Sequence, residues 1–346
     1  MTTKQAPIHS GYSATTTARE VIGGRRLDGV TAIVTGGYSG VGLETTRALA
    51  DAGATVIVPA RTPDKARAAL AGFDRVEVES LDLIDPESID AFASRFLISG
   101  RPLHILINNA GIMAPPLTRD ARGFESQLAT NHLGHFQLTA RLWPALQKAG
   151  GARVVALSSR GHRASAFDFD DPNFERRPYD KWIAYGQSKT ANALFALALD
   201  VRGAPDGIRA FSVHPGAVVT ELMRFMPEDE VRRAISAAEG IEPLKSAEQG
   251  AATSIWCATS PQLSGMGGVY CENCDIAEAV PADFPGASGV RPWARDPLMA
   301  ARLWVVSEKW TRVTIREPLI ARVDWVADRV RSFVSEAEQG SASPFQ

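Results

Sequence analysis

Cysteine is scarce in this chain: only Cys257, Cys271 and Cys274 occur, too few for a disulfide scaffold. Cys271 and Cys274 have the spacing of a zinc or redox pair, but a structural zinc takes four ligands and no second Cys/His pair stands nearby. The reading favoured is two small residues closing the last strand, and no metal site is expected. Histidines number six; His132 and His135 lack carboxylates at ligand spacing and read as packing or surface residues. No apolar run approaches the roughly 18 residues that cross a bilayer, so no membrane span is expected. The N-terminus lacks an apolar segment before a small-residue cleavage site, which argues for cytoplasmic residence. A net charge of −2 supplies no bulk basic field, and nucleic acid is not expected as a partner. Repeats and low-complexity blocks are also missing.

What remains is an ordinary globular composition, 45 % apolar and 22 % charged over 346 residues, enough for a substantial core and one large domain. Strand-like runs at 31–35, 55–59, 76–79, 105–108, 153–157, 209–213 and 268–270 alternate with helical patterns at 43–52, 65–70, 86–96, 124–143, 185–200 and 247–257. That alternation predicts an α/β fold, a parallel sheet with helices on both faces. Residues 1–29 are polar and Thr-rich and read as an arm, 30–279 as the domain, and 280–346 as a loop followed by a helical extension. In the extension Leu319, Val323, Val326, Val330 and Phe333 form an amphipathic stripe. Its charges are Arg322, Arg329 and Arg331 against Glu317, Asp324, Asp328 and Glu336. A helix bound to anionic lipid is basic, so self-packing or dimerisation is favoured.

The first strand runs directly into Gly36-Gly-Tyr-Ser-Gly40-Val-Gly42. Glycines there permit a tight turn and let the backbone approach a pyrophosphate, whose charge then sits at a helix N-terminus. Further on stand Tyr185 and Lys189, four apart and so on one helix face. A tyrosine ionises near 10, so acid–base work at neutral pH needs a shift of roughly three units, about 4 kcal/mol, which a lysine and an oxidised nicotinamide can supply.

In company, these pieces resemble the short-chain dehydrogenase/reductase family from about Val30 to about Tyr270. The matching residues are TGGYSGVG at Thr35, Leu81-Asp82-Leu83, Asn108-Asn109-Ala110-Gly111, Asn131, Ser159, Tyr185 with Lys189, and His214-Pro215-Gly216 with Thr220. The likeness is greatest to retinol dehydrogenase-like and carbonyl reductase-like members, which share Ala-Arg after the second strand and an insertion before the tyrosine. It implies a Rossmann-type doubly wound sheet and a hydride-transferring oxidoreductase.

By resemblance Ser159 hydrogen-bonds the substrate oxygen, with Ser158 as a rival. Tyr185 is the general acid or base, Lys189 binds the nicotinamide ribose and lowers the tyrosine's pKa, and Asn131 anchors a water in the proton relay. Gly36, Tyr38, Ser39, Gly40, Val41 and Gly42 would cradle the cofactor; Asp82 and Leu83 would flank its adenine. Asn109, Ala110 and Gly111 pass close to it, and Pro215, Gly216, Val218 and Thr220 would hold its carboxamide end. After the second strand, NAD-preferring relatives place an acid, whereas here Ala60 is followed by Arg61. A guanidinium holds a 2′-phosphate that a carboxylate would repel, so NADP(H) is expected; Arg61 as a solvated loop charge is the other reading.

Ser159 and Tyr185 are 26 apart, about twice the family's short-form spacing. The inserted segment at 167–182 leaves a monomer or homodimer as open as a tetramer. Leu222, Met223, Phe225 and Met226, on a lid after Thr220, and Phe167, Phe169, Phe174, Tyr179 and Trp182 in the insertion are candidates for an apolar pocket, or bury themselves without touching ligand. The expected partner is a small-molecule substrate, a bulky apolar ketone or secondary alcohol. A non-catalytic NADPH-binding sensor of the same fold is the competing class.

Overall fold

The computed structural model describes residues 3–240 and 242–315. Eight strands form one sheet: β1 (Thr31–Val34), β2 (Thr55–Ala60), β3 (Val76–Ser80), β4 (Ile105–Asn108), β5 (Arg153–Leu157), β6 (Arg209–His214), β7 (Val269–Glu272) and β8 (Asp275–Ile276). Their order is β3-β2-β1-β4-β5-β6-β7-β8. All neighbours from β3 to β7 pair in parallel, in registers such as Thr31 with Thr55, Ala32 with Ile105 and Ala156 with Ser212. The order runs outward from β1 in both directions, so the crevice between β1 and β4 is the switch point where open α/β sheets bind ligands.

The eighth strand is a finding beyond the seven expected. It pairs antiparallel with β7, Cys271 facing Ile276, across a turn in which Asn273 and Cys274 have φ of 51° and 58°. Two left-handed residues in succession match a tight hairpin turn, and two residues of strand are too few to show a sequence period. Cys271 therefore lies within β7, which Glu272 closes, while Cys274 belongs to the turn.

The described helices are α1 (Ala18–Ile22), α2 (Gly40–Asp51), α3 (Pro63–Ala69), α4 (Pro86–Ile98), α5 (Ser126–Leu128), α6 (Gly134–Arg141), α7 (Trp143–Lys148), α8 (Lys181–Gly203), α9 (Glu228–Glu239), α10 (Ala247–Thr259) and α11 (Pro297–Thr311). Successive strand side chains point to opposite faces, and the central strands show it. Ala32, Val34, Ile105, Ile107, Val155 and Leu157 pack under α1, α2 and α10. Ile33, Leu106, Val154 and Ala156 pack on the other side, under α4, α6, α8 and α11. Burial on both faces is why these strands read as continuous apolar runs.

Three elements differ from the sequence expectation. The helix expected at 124–143 is divided: after α5 comes a π-helical turn, Ala129–Leu133, in which the Gly134 amide reaches back to the Ala129 carbonyl. Such wide turns occur often at functional sites, and Asn131 lies in this one. Helix α8 begins at Lys181 rather than Tyr185, because Asp180 caps it by accepting from the Trp182 and Ile183 amides at 2.8 and 3.0 Å. The segment before β1 is bound to the sheet edge: Gln5 donates to the Tyr270 and Ala277 carbonyls, and Asp275 accepts from the Ile8 and Ser10 amides. In the C-terminal extension α11 packs on α8, its Trp304 stacked on Phe195 and edge-on to Phe136. The stripe at 319–333 lies outside the described residues. No described helix is long and apolar enough to cross a membrane.

Candidate active site

The carboxyl ends of β1, β2, β4, β5 and β6 open into one cleft of 610 Å³. Every residue expected from sequence to bind the cofactor lines it, as do Trp182, Leu222 and Met223 of the apolar candidates, and among the four expected catalytic residues only Asn131 does not. Asn131 lies fully buried just behind, its side chain accepting from the Ile112 amide and donating to the Ile112 carbonyl and to Ser188 Oγ.

At the β1 end the chain makes the close approach that the glycines predict. Gly36 has a φ of 64° and its missing Cβ would lie 3.1 Å from Ala110 Cα; a Cβ on Gly42 would overlap the Gly36 carbonyl oxygen. Asn109 ties this turn to β4 by donating to the Thr35 carbonyl at 2.8 Å. Ser39 caps α2 without a side-chain hydrogen bond, and no acidic residue stands in the first turn. The first amides of α2 are thus left for an outside acceptor, at the positive end of the helix dipole. These features fit the phosphates of a dinucleotide.

The cleft beyond Ala60 is cationic. Arg61, Lys65 and Arg224 line it together. Lys65 pairs with Glu221 at 3.1 Å, while Arg224 donates to the Glu221 carbonyl and lies over the Phe225 ring. Burial, then the nearby Arg61, lowers the pKa of Arg224. Lys65 and Arg224 were not anticipated; neither belongs to a motif, and the lid brings Arg224 back from more than 150 residues away.

At the other end, Ser158 and Ser159 separate. Both line the cleft, but the buried Ser158 donates from its hydroxyl to the Lys189 carbonyl at 2.7 Å, whereas Ser159 Oγ accepts from the Gly161 amide at 3.0 Å. Tyr185 is 6 % exposed. Burial pushes its phenol up to about 12, and a hydrogen bond with Ser159 works in the opposite direction. Lys189 donates to the Leu157 carbonyl at 2.9 Å and its Nζ lies 5.5 Å from the Tyr185 ring centre. Burial pushes its ammonium down to about 8. Desolvation, which disfavours the charged form of both groups, dominates here, and what opposes it at the phenol is Ser159 rather than the expected lysine.

The lid crosses the front. Leu222, Met223, Ala234 and Ile235 line the cleft, and Met226 packs with Met113 against Tyr185. Phe225 is exposed. Ion pairs hold the lid to the body, Lys181 to Glu230 at 2.7 Å and Arg160 to Glu242 at 2.9 Å. Of the insertion's aromatics, Trp182 alone lines the cleft. Phe167 and Phe169 pack on each other, Phe167 also meeting Trp310, and Phe174 meets Tyr179, so these four bury themselves away from the site. Among the described residues no group of three or more His, Cys, Asp or Glu is placed to hold a metal.

The sequence profile of the short chain dehydrogenase family matches residues 30–231. A probable oxidoreductase of Streptomyces lividans is 48 % identical over 290 residues, covering 80 % of this chain and 96 % of its own. Retinol dehydrogenase 11 of Mus musculus is 38 % identical over 288 residues, 82 % of this chain and 86 % of its own. Among solved structures, an uncharacterised protein of Mycobacterium paratuberculosis superposes with a TM-score of 0.67 at 33 % identity, over 86 % of this chain and 98 % of that one. The Pseudomonas aeruginosa RhlG/NADP complex superposes at 0.58 with 25 % identity, over 71 % and 95 %.

Proposed function

The chain belongs to the short-chain dehydrogenase/reductase family, and from that premise we propose that it is an NADP(H)-dependent oxidoreductase acting on a carbonyl or secondary alcohol of a bulky apolar molecule. The observation that carries the reading is the convergence of Ser159, Tyr185 and Lys189 on the same cleft as the glycine turn and the uncapped start of α2. The nicotinamide, when bound, supplies the hydride acceptor or donor. Ser159 Oγ holds the substrate oxygen, and Tyr185 gives that oxygen a proton in reduction or takes one in oxidation. A phenol raised by burial is protonated at neutral pH, which suits it to the donating role. Lys189, with a pKa of about 8, remains an ammonium at neutral pH and favours the phenolate left after transfer. The π-turn carries Asn131 to the back of this group, as an anchor for the relay to Lys189.

Preference for the phosphorylated dinucleotide rests on Ala60 in place of an acid and on Arg61 and Arg224 at the same end of the cleft. The RhlG neighbour, solved with NADP, supports it. The apolar substrate rests on Met113, Trp182, Leu222, Met223 and Ile235 in the lining, since each added apolar contact is worth about 1–3 kcal/mol in discrimination. A retinoid-sized alcohol or aldehyde, suggested by the retinol dehydrogenase relative, is within this class. Cytoplasmic residence as a monomer or homodimer belongs to the same proposal.

The test is kcat/KM across acetone, dihydroxyacetone, benzaldehyde, 1-tetralone and retinal, each with NADPH and NADH. The expected order rises toward the large apolar carbonyls with NADPH. A preference for dihydroxyacetone, or for NADH, contradicts it.

A further inference from the structure

The turn that carries Ser159 is gripped from behind by a segment outside the family match. After β8 the chain passes through a proline- and glycine-rich stretch whose composition reads as a linker, yet it packs on the 3-10 turn Arg160–Ala164. Trp293 donates from Nε1 to the His162 carbonyl at 2.9 Å. Arg163 donates to the Ala287 and Phe284 carbonyls at 2.7 and 3.0 Å. The opposite face of the turn lies on the reactive ring: a Cβ on Gly161 would come within 2.8 Å of Tyr185 Cε1. So the turn is held between the phenol and residues 284–293.

His162 is the centre of this contact, and its hydrogen bonds fix its tautomer. The Arg291 backbone amide, which only donates, points at Nε2 at 3.2 Å. Nε2 must then be the bare nitrogen, and the ring proton sits on Nδ1. Nδ1 is 2.7 Å from the Ser159 carbonyl oxygen, which only accepts. Tyr270 Oη, 3.2 Å from the same Nδ1, shares it as acceptor. A doubly protonated ring would set two donors against each other at Nε2, and burial keeps the ring neutral with a pKa near 3.

We propose that His162 is a positioning residue for the active site, its Nδ1–H holding the Ser159 peptide while residues 284–293 hold His162 in turn. The C-terminal stretch is thus the back wall of the reaction centre. Through Ser159 it sets the hydrogen bond that favours the Tyr185 phenolate. This rests on the catalytic roles proposed above for Ser159 and Tyr185.

The test compares the full chain with His162→Phe, which keeps an aromatic ring but has no donor, and His162→Asn, whose amide reaches the position of Nδ1. Tyrosinate absorbance is titrated with NADP⁺ bound, and the same titration of each protein's Tyr185→Phe partner is subtracted, leaving Tyr185. Groups facing the histidine are Tyr270, His214, Arg163 and Arg291, and those beside the phenol are Ser159, Lys189 and Tyr270. They are common to all variants, so a difference reports the lost contact. His162→Phe is expected to raise the Tyr185 midpoint and to lower turnover of the best carbonyl in the panel about tenfold or more, as for a small misplacement of a reacting group. His162→Asn is expected to restore most of both.

An unmoved midpoint with unchanged turnover in His162→Phe overturns the proposal, as does equal loss in the Phe and Asn variants accompanied only by a lower melting temperature. Should His162→Phe fail to fold, Trp293→Phe removes only the bond to the His162 carbonyl; a smaller rise of the midpoint is expected, and none overturns the proposal. Tyr185→Phe in the unmutated background separates the two levels: if it keeps turnover, the proposed function falls, whereas a normal His162→Phe beside an inactive Tyr185→Phe removes only the back-wall role.

Discussion

Lys189 is a buried charge whose proposed role sits against a cost in stability. Its pKa of about 8 lies below the 10.5 of an unperturbed lysine, so between those values the unfolded chain binds more protons than the folded one. Stability due to this group therefore rises with pH from about 8 to about 10.5, and below pH 8 the buried ammonium costs up to about 3 kcal/mol. Lys189→Met is expected to unfold at higher denaturant at pH 7, gaining on the order of 1–3 kcal/mol, while losing activity. A variant less stable than the parent contradicts that. Arg61 poses the opposite case, a charge whose gain appears only with a partner anion. Arg61→Ala is expected to weaken NADPH by about 1.5–3 kcal/mol, the scale of a charged hydrogen bond, and to leave NADH nearly unchanged. Equilibrium titration of both cofactors checks it, and equal losses remove Arg61 from the role.

Among the elements, α11 lies beyond the family match yet belongs to the main core. Trp304 is buried against Phe136 and Phe195, and His132 meets Ser307 at 2.8 Å. Trp304→Ala is expected to cost about 3–5 kcal/mol, read from the denaturant midpoint; a cost below about 1 kcal/mol would make the helix an appendage. The central strands were legible because burial on both faces makes them short apolar runs. The glycine turn was legible because one stretch of sequence, Gly36 to Gly42, carries both its glycines and its helix start. The division at Ala129–Leu133 left no such trace, since every residue there is compatible with an α-helix. Arg224, Glu242 and the Arg291–His162 contact were equally silent: they reach the site across loops, and no spacing encodes a partner found only in three dimensions.

For the whole molecule, buried neutral histidines are expected to contribute to acid sensitivity. Burial lowers His132 to about 3, His135 to about 4 and His162 to about 3, from 6.5. An unfolded chain protonates them first, so the stability they contribute is complete above about pH 6.5 and is lost as pH falls toward 3. The melting temperature is expected to drop through that window, and His132→Gln, which cannot be protonated, to flatten part of the fall. An unchanged slope in the variant would place the acid sensitivity in the carboxylates instead. The aromatics of the insertion show what sequence could not decide at this scale. Phe167, Phe169, Phe174 and Tyr179 stand near Tyr185 in the chain, but the fold turns them into its own packing and leaves Trp182 at the cleft.

The central claim, proton transfer by Tyr185 beside a bound dinucleotide, is tested most directly by one comparison. NADPH oxidation by the full chain and by Tyr185→Phe is followed at the reduced-nicotinamide absorbance with the best carbonyl of the panel, alongside NADPH binding to each. The account predicts at least about a hundredfold loss of turnover, the scale of a lost general acid, with binding retained. Turnover near that of the parent in Tyr185→Phe would contradict it.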